Sequence, residues 1–156
     1  MKTKLEEIIM VTTTTEPKTN LKSTVGRLVD VVFPNGTQTV SQDQEYCTVL
    51  VDGVTKKIRF HDYDQVYNIP GLYEEIFYDH LGCKSPDVVG DLFHKQLKQD
   101  RVDSSSLSVL EIGAGNGMVA QKLQDIGVDQ IVGIDILLEA KLAAFRDRPG
   151  LYEDYY

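Results

Sequence analysis

Three glycines and two acidic residues in the C-terminal part of the chain have the types and spacing of a nucleotide-binding site. The glycines alternate at Gly113, Gly115 and Gly117, and Glu111 stands shortly before them. Glycine adopts backbone angles that other residues avoid, and it has no Cβ atom to hold a ligand away. Asp135 closes the next apolar segment, where an acid commonly accepts hydrogen bonds from ribose hydroxyls. The pattern predicts binding of a nucleoside-containing cofactor.

The segments on both sides of the glycines predict the elements that would position them. The apolar run Leu107–Ile112 is typical of a parallel strand that is buried on both faces. Apolar residues then recur at helical spacing up to Gly127, a residue type suited to ending a helix. A helix that starts behind a glycine turn presents free N–H groups and attracts anions. Residues 131–134 form a second strand, so the segment indicates a β–α–β unit.

The spacing of the glycines separates two classes of cofactor. A dinucleotide fingerprint, G-x-G-x-x-G, that starts at Gly113 would need glycine at position 118, which is Met118. The third glycine comes one place earlier, at Gly117. The resulting pattern E-x-G-x-G-x-G, followed by a strand that ends in Asp135, resembles motif I and the following acid of the class I S-adenosylmethionine-dependent methyltransferases. An NAD- or FAD-binding oxidoreductase is one alternative, and Met118 argues against it.

The resemblance covers residues 70–156 and implies S-adenosylmethionine as the cofactor. Within this range, two stretches resemble small proteins near the Williams–Beuren-type and TPR-linked methyltransferase-like group. They are Tyr73–Val89 and Asp135–Tyr156, the latter with Gly150-Leu151-Tyr152 just before its end. The glycines would let the backbone approach the methionyl part of the cofactor, and Glu111 would orient the turn and the amino group through water. Asp135 would bind the ribose diol, and Ile136 would pack on the adenine. The cofactor-binding residues implied are Glu111, Gly113, Ala114, Gly115, Gly117, Asp135 and Ile136.

The fold implied by the resemblance is α/β and Rossmann-like, truncated here after the second or third strand. Such a sheet would keep an unpaired edge and a half-covered apolar face, which favour association. We therefore expect a homodimer through exposed strand edges. The methyl acceptor is a small molecule, a protein or an RNA, with a small molecule favoured, and no catalytic residue is assigned. The other alternative is a non-catalytic cofactor-binding or assembly module derived from a methyltransferase.

The rest of the chain divides by composition and turn signals. The predicted parts are a mobile tail at 1–24, an antiparallel β extension at 25–66, and helices plus the start of the cofactor domain at 67–156. Within the extension, Asp52-Gly53 suits a type I′ turn between strands at Tyr46–Val51 and Val54–Phe60. A second hairpin would turn at Pro34-Asn35-Gly36 and return at Thr37–Val40.

Local signals also place the elements between the extension and the glycines. His61–Asp64 is predicted to be a solvated loop, and no metal site is expected. One helix is predicted from Leu72 to Gly82. A second would start with Ser85 as N-cap and Pro86 at its first position, with an apolar stripe at Val88, Val89, Leu92, Phe93 and Leu97.

Composition restricts the class of protein. The apolar share is 42% and the formal net charge is -8, so non-specific binding to nucleic-acid phosphates is not expected. Cys47 and Cys83 are isolated thiols rather than a disulfide framework. The N-terminus has no apolar core of a secretory signal, and no run reaches the length of a membrane span. We expect a cytoplasmic protein that does not enter a membrane.

Overall fold

The computed structural model describes residues 29–33, 41 and 44–156, which form a mixed α/β structure with two three-stranded sheets. The predicted tail and the predicted return strand at Thr37–Val40 lie outside the described residues. The elements, in chain order, are β1 (Val29–Val32), β2 (Tyr46–Val51), β3 (Val54–Arg59), α1 (Tyr63–Asn68), α2 (Leu72–Glu74) with a π-helical continuation (Glu75–His80), α3 (Ser85–Asp100), a 3₁₀ turn (Ser104–Ser106), β4 (Ser108–Ile112), α4 (Met118–Asp125), β5 (Gln130–Ile134), α5 (Leu138–Asp147) and β6 (Asp154–Tyr155).

The first sheet is antiparallel, in the order β1-β2-β3, which confirms the predicted antiparallel strands at Tyr46–Val51 and Val54–Phe60. Asp52 and Gly53 both have positive φ, at 51° and 76°, as a type I′ turn requires. The inner face of the sheet forms a core with residues of α1, α2 and the π-helical segment. Its buried members are Cys47, Val49, Val51, Ile58, Phe60, Val66, Ile69, Leu72 and Ile76.

Two helical predictions need correction. The loop predicted at His61–Asp64 is wrong in its second half, because α1 begins at Tyr63 and buries Val66 and Tyr67. The helix predicted from Leu72 is confirmed, but it widens to π-helical winding at Glu75. Segments of π-helix are uncommon and often mark functional sites.

The long helix α3 is also confirmed, although its start and its burial differ from the prediction. Lys84 rather than Ser85 is the N-cap. The helix lies against α4 at Gly90, where an added Cβ atom would be 2.9 Å from the Cβ atom of Lys122. The buried residues of the helix are Pro86 and Gly90, and much of the predicted apolar stripe is exposed, namely Val88, Val89 and Leu92.

The second sheet is parallel throughout, in the order β4-β5-β6, an arrangement compatible with a Rossmann-like fold. One face forms a core with α4 and α5, and its buried members include Ala120, Leu123, Ile131, Ala144 and Tyr155. The prediction that β4 is buried on both faces is wrong, since Leu110 is 59% and Ile112 is 80% exposed. The reason is that residues of both crossover helices join the core on the same side of the sheet.

The outer edge of β4 is free in the part of the chain that the structure describes, where β4 pairs only with β5. The predicted homodimer through such an edge stays a prediction. The carboxyl ends of β4 and β5 lie side by side, with Ile112 opposite Ile134. This register places the glycines after β4 and Asp135 after β5 next to each other at the same edge of the sheet.

Candidate functional site

The glycine turn joins β4 to α4, as the sequence predicts. Gly113, Gly115 and Gly117 have φ values of 72°, 56° and 88°, a region that side chains with a Cβ atom rarely adopt. The amides of Gly113 and Ala114 donate to the Ile134 carbonyl, at 2.8 and 3.0 Å. The turn is therefore fixed to the end of the neighbouring strand before α4 begins at Met118.

The Asp135 carboxylate lies directly against this turn. Its Oδ2 atom accepts a hydrogen bond from the Gly115 amide at 2.9 Å, and its Oδ1 atom accepts one from the Leu137 amide at 3.0 Å. A carboxylate accepts about four hydrogen bonds in all. Asp135 thus fixes two backbone segments and keeps acceptor capacity for ligand hydroxyl groups.

The Glu111 carboxylate is hydrogen-bonded to Tyr152, which lies near the C-terminal end of the sequence. The Tyr152 hydroxyl donates to Glu111 Oε2 at 2.8 Å. Burial raises the pKa of Glu111, because it removes water from the charged form, and the hydrogen bond from Tyr152 opposes part of that rise. The predicted role of Glu111 toward an amino group stays a prediction.

The three glycines differ in what lies over them. A Cβ atom at Gly115 would be 2.7 Å from the Tyr67 hydroxyl, and one at Gly117 would be 2.7 Å from Leu151 Cδ2. A Cβ atom at Gly113 would meet no atom within 4 Å. Gly115 and Gly117 therefore make room for the protein's own side chains, whereas Gly113 opens to space that a ligand can use.

The two remaining predicted residues, Ala114 and Ile136, differ in burial. The Ala114 side chain is buried in the core that β4, β5 and α4 share, so it offers only its backbone to a ligand. Ile136 is 97% exposed and follows Asp135 directly. An exposed apolar side chain beside a carboxylate suits contact with a flat ring whose sugar binds the acid.

Tyr67, which the sequence analysis did not assign to the site, lies against the turn at Gly115 and begins a row of aromatic rings. Tyr67 of α1 is buried, and its ring stacks on Tyr73 with 5.0 Å between centroids. Tyr73 in turn lies 4.6 Å from Phe77. Arg146 of α5 donates to the Tyr67 carbonyl at 2.9 Å, which holds α1 over the turn. The helical spacing of Tyr73 and Phe77 was visible in the sequence, but the position of Tyr67 against Gly115 was not.

A polar cluster on the other flank was also missed by the sequence analysis. Glu74, at the end of α2, accepts hydrogen bonds from Asn116 Nδ2 at 2.8 Å and from Arg148 Nη2 at 3.0 Å. Arg148 also donates to the Asn116 carbonyl at 2.9 Å and contacts the sulfur of Met118. Asn116 belongs to the glycine turn, so the cluster connects the π-helical segment with that turn.

Comparisons of the chain with protein-family models, with curated proteins and with solved structures found no match. Among the described residues, no group of three or more His, Cys, Asp or Glu side chains is arranged to hold a metal ion. No helix in that part of the chain has the length and apolarity needed to cross a membrane.

Proposed function

We propose that the glycine turn binds S-adenosylmethionine and that the chain acts in methyl transfer, as a methyltransferase of the class I type or as the N-terminal part of one. The hydrogen bond from the Gly115 amide to Asp135 carries the proposal. It joins the acid that would bind a ribose to the turn that would receive the rest of the cofactor. The sequence pattern around Glu111 supplies the reason for choosing this cofactor over others.

The residues around the turn fit such a cofactor. Space over Gly113 allows a ligand to approach the backbone. Asp135 keeps acceptor capacity for a diol, and Ile136 offers an exposed apolar surface for adenine. When bound, the cofactor supplies an electrophilic methyl group on a sulfonium. The chain's own residues would hold it, orient it and exclude water, with Tyr67 covering the turn.

The acceptor in our proposal is a small molecule, and no residue is assigned as its base. A dinucleotide-dependent oxidoreductase is disfavoured because position 118 carries methionine instead of the required glycine. Met118 is the first residue of α4, and its sulfur contacts Arg148.

One observation favours a second candidate function, a non-catalytic assembly module. Leu110 and Ile112 expose apolar side chains on one face of β4, and its outer edge is free within the described residues. Exposed apolar surface beside a free strand edge promotes association with another chain. Such a module would bind a partner through this face whether or not the cofactor is present.

Calorimetric titration with S-adenosylmethionine tests the proposal, with the Asp135→Ala variant and an Asp129→Ala control. Asp129 is an exposed acid outside the site. We expect wild type and control to bind alike, and the Asp135 variant to bind about tenfold more weakly, or about 1.4 kcal/mol. Equal binding by all three would contradict the proposed site. Binding of NADH but not of S-adenosylmethionine would support the oxidoreductase alternative.

A further inference from the structure

One face of the second sheet is an apolar surface that remains accessible among the described residues. The core with α4 and α5 occupies the other face. Leu110, Ile112 and Ile134 are 59%, 80% and 40% exposed, and the register sets Ile112 opposite Ile134. Alternation along the paired strands defines this open face as Ser108, Leu110, Ile112, Gln130, Val132, Ile134, Asp154 and Tyr156. Parallel sheets occur almost only with both faces covered, so the open face is suited to a partner.

The polar side chains at the margin of the open face are bonded to one another. Val132 pairs with Asp154, and the Tyr156 amide continues the pairing with β5 at 3.0 Å. Tyr156 is 68% exposed, and its hydroxyl donates to Asp154 Oδ2 at 3.2 Å, so the two side chains lie on the same side. At the amino ends of β4 and β5, Ser108 donates to Gln130. These groups therefore lose little when water is removed from them.

The open face carries little charge, although the chain has a formal net charge of -8. Asp154 is its one carboxylate, and the Tyr156 hydroxyl is bonded to it. Glu111 lies on the other side of β4, where Tyr152 donates to it. A second copy of the chain can therefore approach this face without bringing rows of carboxylates together.

The size of the open face matches the needs of a reversible dimer. At about 32 Å² per apolar carbon group and about 200 Å² per tyrosine, the exposed fractions of its four most accessible apolar side chains amount to roughly 370 Å² per copy. Apolar atoms supply about 60% of an interface, so a contact centred on this patch buries about 600 Å² per copy, or about 1,200 Å² in all. A specific interface should clear about 1,000 Å², and interfaces below about 1,200 Å² are commonly transient. The area supports a second copy that binds weakly and reversibly.

We propose that a second copy of this chain packs its open face against this one about a two-fold axis. A two-fold contact uses the same patch on both copies, which suits a surface that is apolar and nearly uncharged. Two sheets that pack face to face lie about 10 Å apart and interdigitate their side chains. Pairing at the free edge of β4 would instead leave both open faces in water. The inference rests on the second candidate function, whose partner it names, and it does not require the cofactor.

Sedimentation velocity without added ligand tests this dimer in wild type, Leu110→Lys, Tyr156→Lys and the control Leu92→Lys. Leu92 lies on α3, outside the open face, and its exposed fraction of 61% matches the 59% of Leu110. Wild type should pass from monomer to dimer as its concentration rises. The variants at Leu110 and Tyr156 should each weaken the dimer at least about tenfold, because lysine would place an unpaired charge in the contact. The control should stay within about twofold of wild type.

Three results would overturn the inference. Wild type that stays monomeric up to about 1 mM forms no such dimer. Loss of the dimer in Leu110→Lys but not in Tyr156→Lys would place the contact at the edge of β4, because Tyr156 lies at the other edge of the sheet. Loss of the dimer in the Leu92→Lys control would place the contact on α3.

Methyl NMR of wild type decides the question even if a variant does not fold. Dilution should shift the methyl signals of Ile112 and Ile134 and leave that of Ile58, which is buried in the core of the first sheet. Unchanged signals from Ile112 and Ile134 would contradict the inference. The calorimetric titration tests the proposed cofactor site separately. A dimer without cofactor binding leaves the assembly function standing alone, whereas cofactor binding by a permanent monomer overturns only the dimer.

Discussion

Gly113 and Gly117 have different surroundings, so replacing each by alanine should have different effects on stability. The comparison distinguishes a glycine needed for packing from one needed for ligand binding. Both residues have φ values in the left-handed region, at 72° and 88°. A Cβ atom at Gly113 would meet nothing within 4 Å, whereas one at Gly117 would be 2.7 Å from Leu151 Cδ2 and 3.1 Å from a Tyr152 ring carbon. Leu151 and Tyr152 are buried, so neither can move aside cheaply. The same substitution by alanine should therefore have unequal costs.

The expected costs follow from two separate contributions. Placing alanine at positive φ costs about 1–2 kcal/mol in backbone strain, and both variants incur this cost. Overpacking a filled core costs about a further 1–3 kcal/mol, and only Gly117→Ala incurs it. The free energy of unfolding should thus fall by about 1–2 kcal/mol for Gly113→Ala and by about 2–5 kcal/mol for Gly117→Ala.

Urea unfolding followed by far-ultraviolet circular dichroism measures both values, provided that the m-value is unchanged. Titration of the folded Gly113→Ala variant adds the ligand side of the comparison. It should bind S-adenosylmethionine more weakly than wild type, because the new methyl group would occupy open space over the turn. Equal destabilisation by the two substitutions would refute the packing argument, and unchanged affinity of Gly113→Ala would refute the ligand argument.

Two further predictions concern titratable groups. Burial raises the pKa of Glu111 above its ordinary value of 4.5, so its contribution to stability is greatest below that pH and is lost as the pH rises through the folded-state pKa. The free energy of unfolding of wild type, relative to Glu111→Gln, should therefore fall as the pH rises above 4.5 in urea titrations, and a rising difference would contradict it. Burial also raises the pKa of the Cys47 thiol to about 11, whereas Cys83 is only partly buried. Iodoacetamide with mass spectrometry should label Cys83 first and Cys47 only after unfolding, and early labelling of Cys47 would exclude the buried position.

The elements around the site were largely predictable because their signals are local. The turn at Asp52-Gly53 needs positive φ at both residues, and the pair itself indicates that need. The succession of β4, the glycine turn, α4 and β5 follows from apolar runs separated by glycines. Helix α1 was missed because it has only six residues and starts in a polar segment, so it shows little periodicity.

Burial was less predictable than element type, because it depends on what packs from elsewhere. The apolar run of β4 is the same whether one or both faces are covered. Only the fold shows that Leu110 lies on the exposed side, at 59%, while Val109 packs toward the helices. The exposure of Val88 and Val89 in α3 was unpredictable for the same reason, because an apolar stripe does not show what packs against it.

In the candidate site, the residues that are close in the sequence were predictable, whereas the contacts between distant residues were not. Glu111, the glycines and Asp135 are close in the chain, so their spacing carries information. Glu74 is 42 residues from Asn116 and 74 residues from Arg148, and no motif connects them. Tyr152 reaches Glu111 from 41 residues away. Contacts of this kind exist only after folding, so sequence spacing could not reveal them.

The hydrogen bond between Gly115 and Asp135 has a consequence for the kinetics of the molecule. It spans 20 residues of chain and holds the end of β4 against the end of β5. An amide proton bonded in this way exchanges with solvent deuterium only while its hydrogen bond to the Asp135 carboxylate is broken. The exchange rate of this one proton therefore reports how often the Asp135 carboxylate leaves the glycine turn, even when the helices and strands around it stay folded.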